Sequence, residues 1–125
     1  MSLTSLRTDV AADLVAAGVK AVEYVGETIT PPCAVVVPGQ PYIVEPSRTN
    51  DVPFGHVLVR VDVLLLVARE AAKSAAERID QLVETAYAAL GEHDITQVSR
   101  PGLVTLNGAK FVGSTITIEE VTEAP

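Results

Sequence analysis

The stretch FGHVLVRVDVLLLVA, residues 54–68, decides the fold. Every second residue from 57 to 67 is valine or leucine without a break, so these side chains share one face of a strand. The opposite face is polar in its first half, at Arg60 and Asp62, and apolar in its second half. This split predicts a long strand covered by protein on one face throughout, and on the other face only near its end.

Two amphipathic helices are predicted around this strand. Residues 3–17 repeat apolar side chains at three- and four-residue steps, and Gly18 follows as a left-handed stop. Residues 69–90 carry a wide apolar stripe that Gly91 ends. The small alanines on this stripe indicate that the second helix approaches a sheet closely.

Shorter strands complete the predicted sheet. They are expected at residues 20–25 and 33–37, and in a hairpin around the turn Asn107-Gly108. Its first strand begins at 94–98, is interrupted by Arg100-Pro101-Gly102 and continues in 103–106, and its second strand is 109–118. The sequence therefore predicts an α+β fold with the order α-β-β-β-α-β-β. This is a single mixed, mostly antiparallel β-sheet with two helices packed on one face.

The composition is that of a globular chain with an acidic balance. Its 125 residues include 9 Lys and Arg against 16 Asp and Glu, for a net charge of −7 at pH 7. The length fits one domain, residues 1–125. The net negative charge argues against a surface that grips nucleic-acid phosphates. The single cysteine excludes an intramolecular disulfide.

No targeting or membrane segment is predicted. Residues 1–9 lack the basic start and the apolar run of a secretory signal. The longest apolar run, 63–68, is far shorter than the roughly 20 residues that a membrane helix needs. We expect the chain to stay in the compartment where it is made, without a membrane partner.

The spacing of the polar residues predicts no reactive site. His56 and His93 lie on a strand start and in a loop, without the spacing of zinc ligands. Cys33 precedes an aliphatic run, which favours a small buried hydrophobe over a nucleophile. The glycines of 108–115 have the spacing of a phosphate-binding loop, but Ser114 stands where that loop needs lysine. We therefore expect no catalytic, cofactor-binding or metal-binding residues, and a protein that is not an enzyme.

The segment 38–53 contains four prolines and is predicted to be a long loop. One interpretation is an ordered connection that Tyr42 and Ile43 pin on the core of their own subunit. The other is an arm that touches another molecule, with Tyr42 and Ile43 as apolar anchors and Arg48 supplying a charge-assisted bond. The acidic residues of 119–125 predict a loose C-terminus.

The order of parts carries a family resemblance. A helix ending in Ala16-Ala17-Gly18 is followed by a Tyr-bearing strand, Val22-Glu23-Tyr24-Val25. A Pro-Pro then leads into the aliphatic strand of residues 30–38, and a Pro-Tyr segment follows, Gln40-Pro41-Tyr42-Ile43. A long loop, a long aliphatic strand, an amphipathic helix and a terminal hairpin complete the chain. Over nearly its whole length this order resembles the tail terminator (tail completion) proteins of long-tailed bacteriophages, particularly those of actinobacterial phages.

The resemblance implies a structural role in the virion and no cofactor. Such proteins form a hexameric ring on the head-proximal end of a finished tail tube, end tube polymerisation and present the surface that joins the neck of the head. The implied partners are other copies of the chain, the tail tube protein and a neck protein, and DNA passes through the lumen without sequence-specific binding. The candidate contact positions that match in layout are Tyr42, Ile43, Arg48, Phe54, Arg60 and Asp62.

Two other functions stay open at this point. A head-to-tail adaptor, or another neck or minor tail component, is also small and ring-forming. A small-molecule-binding or enzymatic α+β domain belongs to a different class. The scarcity of titratable clusters beside a long proline-rich segment favours a subunit with surfaces to pair over one with pocket chemistry.

Overall fold

The computed structural model describes residues 3–23, 29–69 and 72–124. Within them the elements are α1 (Leu3–Ala16), β1 (Ala21–Val22), β2 (Cys33–Val44), β3 (His56–Ala68), α2 (Ala72–Ala89), β4 (Ile95–Val98), β5 (Gly102–Leu106) and β6 (Ala109–Glu123). The predicted α+β class is confirmed, with one difference: three strands, not two, follow α2. The part of the first predicted strand at residues 24 and 25 lies outside the described residues.

The strands form one mixed, mostly antiparallel sheet in the order β1-β2-β3-β6-β4, with β5 also beside β6. Strands β3 and β6 pair along their whole length, from His56 opposite Glu123 to Ala68 opposite Phe111. Strands β4 and β5 lie end to end on the other edge of β6. The break between them is held by Ser99, whose carbonyl accepts a hydrogen bond from the Ser114 hydroxyl at 2.6 Å. This break accounts for the additional strand.

Both helices pack on the same face of the sheet, as predicted. The valine and leucine row of β3 lies in the centre of this core, where Val61, Val63 and Leu65 are fully buried. Leu14 of α1 and Ile79 of α2 cover the row from above the sheet. The unbroken two-residue period of β3 therefore faces the helices along its whole length.

Among the described residues, the second face of the sheet is covered only at the end where β3 stops. There a smaller apolar cluster buries Cys33, Val35, Leu66 and Phe111. The predicted division of β3 into a polar half and an apolar half on this face is confirmed. The prediction that Cys33 is buried is also confirmed, and burial raises the pKa of its thiol.

Two boundaries differ from the sequence prediction. The predicted loop 38–53 is wrong in its first part, because strand β2 continues to Val44. Residues 45–55 then connect β2 to β3. The ladder slips between Pro38 and Ile43, where β2 bulges away from β3. Prolines fit here because β1 pairs only with residues 34 and 35, which leaves the outer edge of β2 without a ladder partner among the described residues.

The C-terminus is the second correction. Residues 119–123 were expected to be loose, but β6 runs to Glu123 and pairs with the first half of β3. The backbone NH of Ala124 then donates to the carbonyl of Gly55 at 3.1 Å. The backbone pairing with β3 orders this segment although its acidic composition predicts a loose end.

Candidate interaction surface

The six predicted contact residues all lie on the half of the sheet where β3 begins. They are distributed over the end of β2, the connection of residues 45–55 and the first half of β3, and comprise Tyr42, Ile43, Arg48, Phe54, Arg60 and Asp62. The structure separates them into residues that are paired within their own subunit and residues that face outward.

Tyr42 serves its own subunit. Its side chain is half-buried and packs against the helix-side core. Its hydroxyl accepts a hydrogen bond from the guanidinium of Arg7 on α1, whose Cζ lies 5.9 Å from the centre of the tyrosine ring. These contacts tie the end of β2 to α1, so the structure favours the interpretation in which Tyr42 pins this segment on the core. Ile43 beside it remains 36% exposed.

Arg60 and Asp62 lie on the uncovered half of the second face, as expected, but they are only partly exposed and both have partners within their own subunit. The Nε and Nη2 atoms of Arg60 donate to Oε1 of Glu119 at 3.2 and 2.9 Å, and Nη1 donates to the carbonyl of Gln40 at 3.2 Å. Thr117 donates its hydroxyl proton to Asp62 at 3.0 Å. The β3–β6 register causes both pairs, because it places Glu119 opposite Arg60 and Thr117 opposite Asp62.

These pairs form a polar centre on the second face of the sheet. It lines a shallow depression of about 210 Å³ that also includes Gln40 and Gln97. Arg60 balances the charge of Glu119, whereas Asp62 accepts a hydrogen bond from a hydroxyl, so the depression presents hydrogen-bonding groups and one net negative charge to a neighbour. Such groups set register and partner choice more than affinity.

The connection of residues 45–55 is ordered around one side chain. Oδ1 of Asn50 accepts from the backbone NH of Ser47 at 3.1 Å and of Val52 at 3.2 Å, and its Nδ2 donates to the carbonyl of Glu45 at 3.0 Å. Asn and Asp side chains commonly close turns in this way. Arg48 is exposed on this turn. A turn fixed by its own hydrogen bonds loses less conformational entropy when it docks.

Phe54 is the outlier of the candidate set, because 98% of its surface is exposed. The backbone on either side of it is fixed. The NH of His56 donates to the carbonyl of Pro53 at 3.1 Å, and Gly55 takes a φ of +85° that favours glycine. The structure therefore holds a large aromatic ring in solvent on an ordered turn. Aromatic side chains in such positions are typical anchors of protein interfaces.

Sequence reasoning did not identify a cleft between α1, the α2–β4 connection and β6. It has a volume of about 620 Å³ and contains a short contact of 2.7 Å between Nε2 of His93 and Oδ2 of Asp13. Its other carboxylates belong to Asp9, Glu92, Asp94, Glu119 and Glu120. The residues come from distant parts of the chain, so no local spacing signals their proximity.

In the described part of the chain, no group of three or more His, Cys, Asp or Glu side chains is arranged to hold a metal ion. The described helices include none that is both long and apolar enough to cross a membrane. No protein-family model matches this chain, and no curated protein matches it at a significant level.

Proposed function

We propose that this chain is a ring-forming structural protein of a bacteriophage tail. In this proposal six copies form a ring on the head-proximal end of the finished tail tube, stop its polymerisation and present a surface to the neck of the head. The observation that supports it most is the exposure of Phe54, 98%, on an ordered turn. The order of elements resembles that of tail terminators, and in the ring that such proteins form an exposed anchor would contact a neighbouring subunit.

The surfaces of the sheet suit repeated protein contacts. The helix-covered face is a closed core, whereas the second face carries the polar centre around Arg60 and Asp62 and an apolar cluster beyond it. Long paired strands make this platform rigid, because β3 and β6 share a continuous ladder. A rigid subunit with fixed outward anchors loses little entropy on assembly.

The charge of the chain fits a ring through which DNA moves. At −7 per copy, a ring of this protein repels the phosphate backbone and offers few cations to hold it. In the proposal, DNA therefore passes the lumen without sequence-specific binding. The partners are the tail tube protein on one side and a neck protein on the other, and the finished ring belongs to the virion.

The function is tested by polymerising purified tail tube subunits with and without this protein. We expect tubes to stop elongating at one end when the protein is added at substoichiometric amounts, since one ring is enough to block one tube end. The matched control is Phe54→Ala, which should fold but not arrest growth. Tubes that elongate unchanged, together with binding to isolated necks, would instead assign the protein to the neck.

A further inference from the structure

The two ends of the sheet differ in their balance of charged side chains. The register places Glu119, Glu120 and Glu123 opposite the first five residues of β3, and Arg60 balances the first of them. Asp51 and Glu45, both exposed, lie on the connection that leads into the same end, with Arg48 as their basic neighbour. Carboxylates therefore predominate around the turn that presents Phe54.

Cations predominate at the end where β3 stops. Arg69 directly follows β3, and Lys73 lies on the first turns of α2. Arg100 precedes β5, and Lys110 lies at the start of β6, where it pairs with Thr105. All four side chains are exposed. The exposed carboxylates Glu77 and Asp80 of α2 lie at the same end, so the four cations outnumber them two to one among these described residues. The molecule is therefore acidic near Phe54 and richer in cations at the opposite end.

The cationic end contains an apolar groove between α2 and β5. Its volume is about 410 Å³, and its floor and walls include Ala76, Ile79, Leu103 and Val112. Leu103 is 69% exposed, although it is a large aliphatic side chain. An apolar cavity of about 150 Å³ holds a benzene ring, so this groove has room for a phenylalanine side chain. The charged residues of its lining are one cation, Arg69, and one carboxylate, Asp80.

We infer that the groove between α2 and β5 receives Phe54 of a second copy of this chain. The phenyl group of Phe54 is the apolar occupant, and the carboxylates around Phe54 in one copy face the cations around the groove in the other. The inference rests on the proposed ring and names the contact that would build it.

Phe54 and the groove lie at opposite ends of β3. Phe54 precedes its first residue, and Val112 of the groove pairs with Val67 near its last, so the two are about 43 Å apart at roughly 3.3 Å per residue. They are separate patches, and in the proposed ring each copy gives Phe54 to one neighbour and receives it from the other, in a head-to-tail contact. Repetition of such a contact produces a ring when its rotation closes, and a filament when it does not.

The test uses two variants that each destroy one side of the contact. Phe54→Ala removes the anchor, and Ala76→Glu places a carboxylate in the groove from an exposed helical position. Val15→Ser is the matched control, since Val15 is an apolar side chain 58% exposed on α1, away from both surfaces. Circular dichroism verifies that all three fold, and sedimentation equilibrium measures their association.

We expect Phe54→Ala and Ala76→Glu each to weaken self-association about 30-fold or more, as truncation of an interface hot spot does. Val15→Ser should associate like the wild type. An equimolar mixture of the two defective variants should form a heterodimer and nothing larger. In this mixture, Phe54 is intact only in Ala76→Glu, and the groove is intact only in Phe54→Ala.

The alternatives give different results. If the wild type associates but neither variant changes it, or if the mixture stays monomeric, this contact is wrong while a ring closed through other surfaces still stands. A wild type that is monomeric at its highest soluble concentration contradicts the contact itself. The proposed function fails separately, when the wild-type protein does not arrest tail tubes.

Discussion

The two phenylalanines of this chain form a matched pair for testing the roles of its surfaces. Phe54 is 98% exposed, whereas Phe111 is 7% exposed in the apolar cluster on the second face of the sheet. Phe111→Ala removes buried apolar surface and leaves a cavity, which costs about 3–5 kcal/mol of unfolding free energy. Phe54→Ala removes almost no surface that folding buries, so we expect a change within about 0.5 kcal/mol.

Urea unfolding followed by circular dichroism measures both values. At roughly 3–5 °C per kcal/mol for a chain of this size, Phe111→Ala should also lower the melting temperature by roughly 10–20 °C. The comparison is made at low protein concentration, because an oligomer adds stability by mass action. The wild-type midpoint should rise with protein concentration, and that of Phe54→Ala should not.

One result would refute this reasoning. If Phe54→Ala destabilises the dilute protein by several kcal/mol, Phe54 packs within its own subunit and is not an interface anchor. A midpoint that rises with concentration equally in the wild type and in Phe54→Ala would show that the chain associates through other residues.

Three further predictions follow from the buried and paired side chains. Because burial raises the pKa of Cys33, the thiol ionises in the unfolded chain before it does in the folded one, so stability should fall as pH rises above about 8.5. Cys33→Ala should cost about 1 kcal/mol and should not show this loss of stability at high pH, as measured by urea unfolding at several pH values. Gly39→Ala should cost about 1–3 kcal/mol, since its Cβ would lie 2.4 Å from Cγ and 2.9 Å from the carbonyl of Arg60; Gly102→Ala, with open space around it, should be nearly neutral, and equal melting temperatures for the two would contradict the close approach. Arg60→Met should cost about 1 kcal/mol by leaving Glu119 without its cation, and a loss that vanishes in high salt would show that the pair is fully solvent-screened.

Much of the fold follows from local patterns. The two-residue period of residues 57–67 predicts both the long strand and the face that the helices cover. Asn107 and Gly108 predict the β5–β6 turn, and both adopt positive φ, 51° and 79°. Gly18 also takes a positive φ at the end of α1. These residue types fix backbone geometry by themselves, so the sequence is sufficient.

The missed features depend on residues far apart in the chain. The partners of Arg60 and Asp62 follow from the pairing of β3 with β6, across 59 and 55 residues. Strand β2 continues past Pro38 because it bulges there and because, among the described residues, its outer edge has no ladder partner beyond the short β1. The same prolines, considered without their neighbours in the sheet, predict a loop. The exposure of Phe54 likewise depends on where the sheet ends, which no period within the sequence indicates.

Electron microscopy of the purified protein mixed with tail tubes decides whether it caps them. We expect one ring at one end of each tube, with six copies in the ring, and bare ends with Phe54→Ala at the same concentration. Tubes with both ends bare at saturating wild-type protein, or protein decorating the sides of the tubes without a ring at an end, would contradict the proposed function.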